Sequence, residues 1–239
     1  MISLHEKVLE GIYDEFERWA DESLACKKGC ATCCTQNVII TAVEGERIHR
    51  HVRENGKEEW FAAALQQKAA TKKPRLTTNG FAESCLRGED VSPESYGSSQ
   101  PCPFLDGDCC SIYDARPFSC RCFVSTQTCS PGVPALIGEK YLSASTAVMQ
   151  MIEHLGQGEF IGNMLDVLLA LCGVSENRKY LALLPASMSD QGLANVVKAR
   201  PLPGFLLLEE EMETVGPLLH AIFAHEVEGR SIEDILNNR

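Results

Sequence analysis

Leu4, Val8, Ile12, Phe16 and Trp19 recur every three or four residues, which predicts an amphipathic helix over Ser3 to Leu24. A short apolar run, Val38-Ile39-Ile40, comes next, and Thr41 with Glu44 three residues later reads as a capping box opening a helix through about Asn55. A further helix is expected over about Glu58 to Ala70. Helical spacing returns from Tyr141 onward, over Ser143–Leu155, Glu159–Cys172 and Ser187–Lys198. After the break Pro201-Leu202-Pro203-Gly204, a long helix is expected from about Leu207 to Glu228. Its acidic start, Glu209-Glu210-Glu211, suits the positive end of a helix dipole. Ser231 with Asp234 caps a final short helix. The fold class read from this pattern is mainly α.

Residues 74–135 break the pattern. Pro, Gly, Ser, Asp and Cys are frequent there, and neither the helix nor the strand period is sustained. Such a stretch inside a folded chain calls for something other than secondary structure to order it. A metal would do so, because binding energy present only in the folded state acts as folding energy, on the order of 10–16 kcal/mol for structural zinc. The expected organisation is a cysteine-bearing part with its N-terminal helix, 1–135, and a helical part, 136–239. The only internal echo is between the vicinal pairs Cys33-Cys34 and Cys109-Cys110.

Composition narrows the chemistry. With 239 residues and 44% apolar content the chain can bury a core without disulfide staples. Its 12 cysteines fall well below the density of short secreted disulfide scaffolds, roughly 8–10%. Met1 to Lys7 has no basic stretch followed by an apolar one, so no export signal is expected. Met164–Cys172 is shorter than the ~18 apolar residues of a membrane span and carries Asp166. A reducing cytoplasm is the expected setting, where clustered cysteines are more often metal ligands or catalytic thiols than bridges. The net charge of −11 argues against a nucleic-acid partner, and Lys72-Lys73-Pro74-Arg75 reads as a solvated linker.

Seven cysteines fall in two groups: Cys26, Cys30, Cys33 and Cys34, then Cys102, Cys110 and Cys120. The separation of Cys30 and Cys33 lets both thiolates of one turn face a common ion, and Gly29 can supply a left-handed residue to tighten it. Cys26 shares that face if the first helix extends so far. Adjacent side chains diverge on a helix or a strand, so Cys33 and Cys34 are expected to serve different metals or to include a spare thiol. Pro101 and Pro103 hold Cys102 in extended backbone, and Asp106-Gly107-Asp108 is a turn that folds Cys109-Cys110 back toward it. Arg116 and Arg121 are candidates to offset thiolate charge around the centre.

The pattern C-x3-C-x2-C-C, followed by C-P-F-L, C-S-I-Y, R-P and C-R, resembles the zinc- or iron-chelating cysteine-cluster family (CxxCxxCC, or YkgJ-like) over about residues 26–123. By position, the resemblance implies Cys26, Cys30, Cys33, Cys34, Cys102, Cys110 and Cys120 as metal ligands. Cys109 and Cys122 are additional thiols beside expected ligands. Cys85 and Cys129 match nothing and are read as plain thiols, and Cys172 as a core residue.

Seven thiolates exceed the four of one tetrahedral zinc; two metals sharing bridging thiolates would use six, and one iron–sulfur cluster four. All-sulfur ligation suits zinc and iron–sulfur chemistry alike, and the excess of cysteines without nearby histidine tilts the reading toward iron–sulfur. His49, His51, His220 and His225 are poorly spaced to share an ion. Three functions fit: a metal-binding protein with a redox or metal-handling role, an enzyme using the centre for redox or group transfer, or a metal-free dithiol at Cys30-Ala31-Thr32-Cys33. The last lacks the βαβ setting such motifs usually occupy.

Overall fold

Ser3 opens helix α1 (Leu4–Trp19) through the reciprocal bonds of a capping box with Glu6, and Val8, Leu9, Ile12, Tyr13 and Phe16 turn inward. The structure, a computed structural model, describes residues 2–20, 24–95, 97–130 and 132–238. The helix ends at Trp19 with Ala20 in extended backbone, short of the expected Leu24; residues 21–23 lie outside the described residues. Cys26 is therefore not on that helix.

Strand β1 (Ile39–Thr41) runs straight into α2 (Ala42–Glu54), whose capping box is Thr41 with Glu44, as expected. Helix α3 (Glu58–Leu65) is shorter than its expected extent to Ala70. The stretch expected to be irregular contains helix α4 (Thr78–Leu86), capped by the Thr77 hydroxyl on the Gly80 N–H. It also forms a tight hairpin, β2 (Leu105–Asp106) with β3 (Cys109–Cys110), around Gly107 at φ +58°, and a short helix α5 (Phe118–Arg121). These elements are too short for a periodic signal, which is why the sequence pattern does not announce them.

Helix α6 (Glu139–Leu155) begins earlier than expected. The expected helix from Glu159 starts instead as strand β4 (Phe160–Asn163), followed by α7 (Met164–Leu171). Gly162 weakens the helix there, and Asn163 caps α7 by accepting the Leu165 N–H, so the break is local chemistry. Helix α8 (Ala186–Asn195) gives way to β5 (Val197–Lys198), and α9 (Glu209–Ala224) to the hairpin of β6 (Glu226–Val227) and β7 (Arg230–Ser231). Ser231 caps α10 (Ile232–Leu236) as expected. About half of the chain is helical and 9% strand, so the fold is mainly α. No helix among the described residues is long and apolar enough to cross a membrane.

Two apolar cores result. One packs α1, α6, α9 and α10 around Phe16, Val148, Met151 and Ile222; the other packs α2, α3 and α7 around Ile48, Phe61, Leu165 and Leu168. Each such fully buried large side chain contributes roughly 1.5–3 kcal/mol. Residues before and after position 135 build both cores. They also share the antiparallel sheet β1-β4-β5, in which Ile40 faces Gly162. The cysteine-bearing stretch is anchored in both cores, by Phe118 in the first and by Phe104 and Ile112 in the second. His49 is a core residue. It packs edge-on against Phe61 and tilted against Tyr180, its Nε2 lies 3.0 Å from the Leu168 carbonyl, and burial lowers its pKa to about 4, so it is neutral.

Glu44 does more than cap. Its buried carboxylate accepts the Thr41 N–H at 2.9 Å and the Thr41 hydroxyl on one oxygen, and the Tyr13 hydroxyl at 2.9 Å and the Phe118 N–H at 2.8 Å on the other. One side chain thus ties α1, β1 and α5 together. Burial pushes its pKa up, and the donors around it oppose that rise. Glu44→Gln would place an amide NH2 against one of two backbone N–H donors that cannot turn away. It is expected to cost about 1–3 kcal/mol in unfolding free energy by urea titration. An unchanged midpoint would show that the carboxylate does not hold these elements.

Candidate metal centre

The first cysteine group lies in two consecutive turns. Cys30 N–H bonds the Lys27 carbonyl at 3.0 Å, and Cys34 N–H bonds the Ala31 carbonyl at 3.0 Å. Gly29 takes φ +89°, the left-handed conformation expected of it, with no atom within 4 Å of where a Cβ would stand. The group is stitched to the second by backbone: Cys102 N–H donates to the Cys34 carbonyl at 3.1 Å and Gln36 N–H to the Gln100 carbonyl at 2.9 Å. Gln36 adds a side-chain bond to the Pro101 carbonyl, and Asn163, at the head of α7, donates to the Gln36 carbonyl at 2.5 Å. At the other end, Ala25 N–H bonds the Ser125 carbonyl at 2.8 Å, and the Cys26 Sγ accepts the Ser125 N–H at 3.2 Å.

These stitches bring all seven candidate thiols to the wall of one cavity of about 270 Å³: Cys26, Cys30, Cys33, Cys34, Cys102, Cys110 and Cys120. The remainder of the wall is largely apolar, with Val38, Phe104, Ile112 and Met164. Cys110 faces the cavity while Cys109, its neighbour on a strand, faces solvent, as alternation requires. Cys122 is buried away from the cavity, against Ser145 of α6, and its thiol pKa is pushed up to about 12 by burial. Cys85 lies on α4 outside the cavity, and Cys172 is wholly buried in the second core.

Cys33 and Cys34 do not diverge. The turn is neither helix nor strand, and both thiols face the cavity and hydrogen-bond each other. Cys34 donates, which lowers the Cys33 pKa to about 6 and raises that of Cys34. Burial raises Cys102 to about 11, and also raises Cys120, Cys110 and Cys26. Cys129 adds to the rise at Cys26, together with Cys30 and Cys33. That influence brings Cys129 into the neighbourhood of the first group, which sequence reasoning did not foresee. The signal was available only as its position on the loop whose Ser125 holds Cys26.

The two arginines part company. Arg116 lines the cavity, its guanidinium carbon lies 4.0 Å from the centre of the Tyr113 ring, and its charge favours the Cys110 thiolate. Arg121 lies outside the cavity: it pairs with Glu17, donates to the Arg116 carbonyl at 3.0 Å and covers the Tyr13 ring.

Residues 25–134 match the family model CxxCxxCC, described as a putative zinc- or iron-chelating domain. Over that segment, somewhat under half of the chain, the protein is similar to this domain. No curated protein and no solved structure matches the chain. The helices after Pro134 lie outside the matched segment. The donors of the matched segment bear on whether it suits zinc or iron. Seven thiols on one wall, with no histidine among the described lining residues, suit either. The buried Arg116 Nε, a donor with no acceptor among the described residues, is what a metal-bound sulfur would satisfy. Among the described residues no three His, Cys, Asp or Glu side chains are already drawn to one point, so ligation requires the thiols to turn inward from the wall.

With a pKa of about 6, Cys33 is mostly thiolate at pH 7, whereas Cys102 at about 11 is not. In metal-free protein, iodoacetamide at pH 7 is expected to modify Cys33 before Cys102, as read by peptide mass spectrometry. The Cys33 rate should fall as pH drops through about 6. Modification of Cys102 first, or a Cys33 rate that rises only above pH 8, would contradict this ordering.

Proposed function

We propose that this protein holds an iron–sulfur cluster through four thiolates drawn from Cys26, Cys30, Cys33, Cys34, Cys102, Cys110 and Cys120, in a reducing cytoplasm, with a redox or metal-handling role. The observation that carries the reading is that all seven thiols share the wall of one cavity. A single tetrahedral zinc uses four thiolates, and no histidine lines this cavity. Iron–sulfur ligation by four of them leaves three for a second metal or for exchange of the cluster with a partner. Zinc shared between two sites through bridging thiolates is the competing occupancy of the same wall. The chain itself supplies the turns that present the first group, the hairpin that aims Cys110 and the helix that carries Cys120. Arg116 offsets thiolate charge from the cavity wall.

Protein purified without oxygen is expected to be brown, to absorb near 400 nm, and to contain iron and acid-labile sulfide in whole-number ratio to chain. Cys30→Ala and Cys110→Ala are each expected to lose most of the metal, while Cys85→Ala retains it. Colourless protein with stoichiometric zinc would replace the cluster with a zinc site. Metal-free protein that stays folded would leave only thiol chemistry, and full metal in either ligand variant would strike that residue from the set.

A further inference from the structure

Beside the thiol cavity lies a second, more open one of about 630 Å³, within the size range of small-molecule sites. The two share five wall residues: Cys26, Tyr113, Arg116, Cys120 and Phe123. Anything seated in this groove therefore lies one side chain away from the proposed centre. The groove's apolar lining includes Phe16 and Val124, both nearly buried, and Phe123, which is 46% exposed. Its charged lining is Glu17, Asp114, Arg116 and Arg121. There Arg121 is committed to Glu17 and to the Arg116 and Asp114 carbonyls.

Arg116 is differently placed. Among the described residues its guanidinium has no carboxylate partner; its Nε is buried, so a groove ligand would meet the terminal NH2 groups. Its guanidinium carbon lies 4.0 Å from the centre of the Tyr113 ring and the Lys28 ammonium 5.3 Å from it, so two cations converge on one ring. Lys28 lines neither cavity, so of the two cations it is Arg116 that the groove presents to a ligand. A flat guanidinium fixed on an aromatic face is suited to paired hydrogen bonds with a planar carboxylate, more than to a point contact.

We propose that this groove binds a small carboxylate with an apolar body, its carboxylate on Arg116 and its body against Phe16, Phe123 and Val124, beside the metal centre. The groove itself is independent of the metal; only the closeness of the ligand to a metal rests on the reading of the thiols given above. A second role for this wall follows, as the place where a substrate of that class meets the centre.

The test uses the full chain as purified anaerobically, titrated with benzoate, acetate, benzyl alcohol and phenyl phosphate. Binding is followed by calorimetry and by ligand NMR, with metal content measured on the same samples. Benzoate is expected to saturate at millimolar concentration or below, and the other three to bind at least tenfold more weakly. Arg116→Lys, which keeps the charge but loses the planar fork, and Ala20→Trp, which fills the groove away from the thiols, should each weaken benzoate at least tenfold. Where metal is present, benzoate should also shift its visible spectrum. Absent benzoate binding at 10 mM, equal binding by both variants, or a preference for phenyl phosphate would each overturn the proposal. Protein without metal that still binds benzoate through Arg116 would sink the metal reading and leave the groove standing.

Discussion

The Cys102 N–H bound to the Cys34 carbonyl is the contact on which the cysteine architecture depends. It is a backbone bond between two stretches separated by three helices, and side-chain chemistry alone could not maintain it. Gln36 reinforces it on one side through Gln100 and Pro101, and Asn163 clamps Gln36 from the head of α7. The clamp connects the turn to a helix whose apolar residues are almost entirely buried, so the position of the first cysteine group is set by the second core. Each hydrogen bond is worth only about 1 kcal/mol net, but their donors and acceptors would be costly to strand.

Glu44 performs the corresponding task for the other group. Through Phe118 it fixes the start of α5, and the hydroxyl of Ser119 bonds the Ile39 carbonyl at 2.7 Å, so Cys120 is tied to the same sheet edge that begins α2. The cysteines of the two groups are thus mounted on one framework of β1, α2 and α7, although none belongs to it. That arrangement lets short turns, with little stability of their own, hold several thiols around a single cavity. The hydrogen bonds to this framework add to whatever order a metal would give residues 74–135.

The helices of the N-terminal and C-terminal parts were legible because their apolar spacing reports the two cores directly. Thr41-x-x-Glu44 was legible as a cap, since the box is local. Its tertiary role was not, because nothing in the spacing says that Tyr13 and Phe118 converge on the same carboxylate. Phe160–Asn163 was mistaken for helix since its apolar residues continue those of α7, and pairing with β1 is a long-range fact. The gathering of seven cysteines could be read from their types and grouping. The shared direction of Cys33 and Cys34 could not, because divergence is a rule for regular backbone and these two sit in a turn. Arg116 and Arg121 are equivalent by sequence; Glu17, from α1, separates their roles.

The protonation of the wall bears on how a metal would enter. Burial holds Cys26, Cys102, Cys110 and Cys120 toward the neutral thiol, and the bond from Cys34 holds Cys33 toward the thiolate. A thiol ligates only after its proton leaves, so metal competes with protons at the raised cysteines and finds one anionic sulfur ready. Cys33 is also exposed at the mouth. Cys33 would be the sulfur most ready to hold a metal, and the buried thiols of the hairpin and α5 would have to lose their protons to do so. Arg116 would oppose entry of a bare cation but stabilise the anionic, thiolate-rich state once formed. A positively charged residue at that wall suits a centre whose final charge is negative.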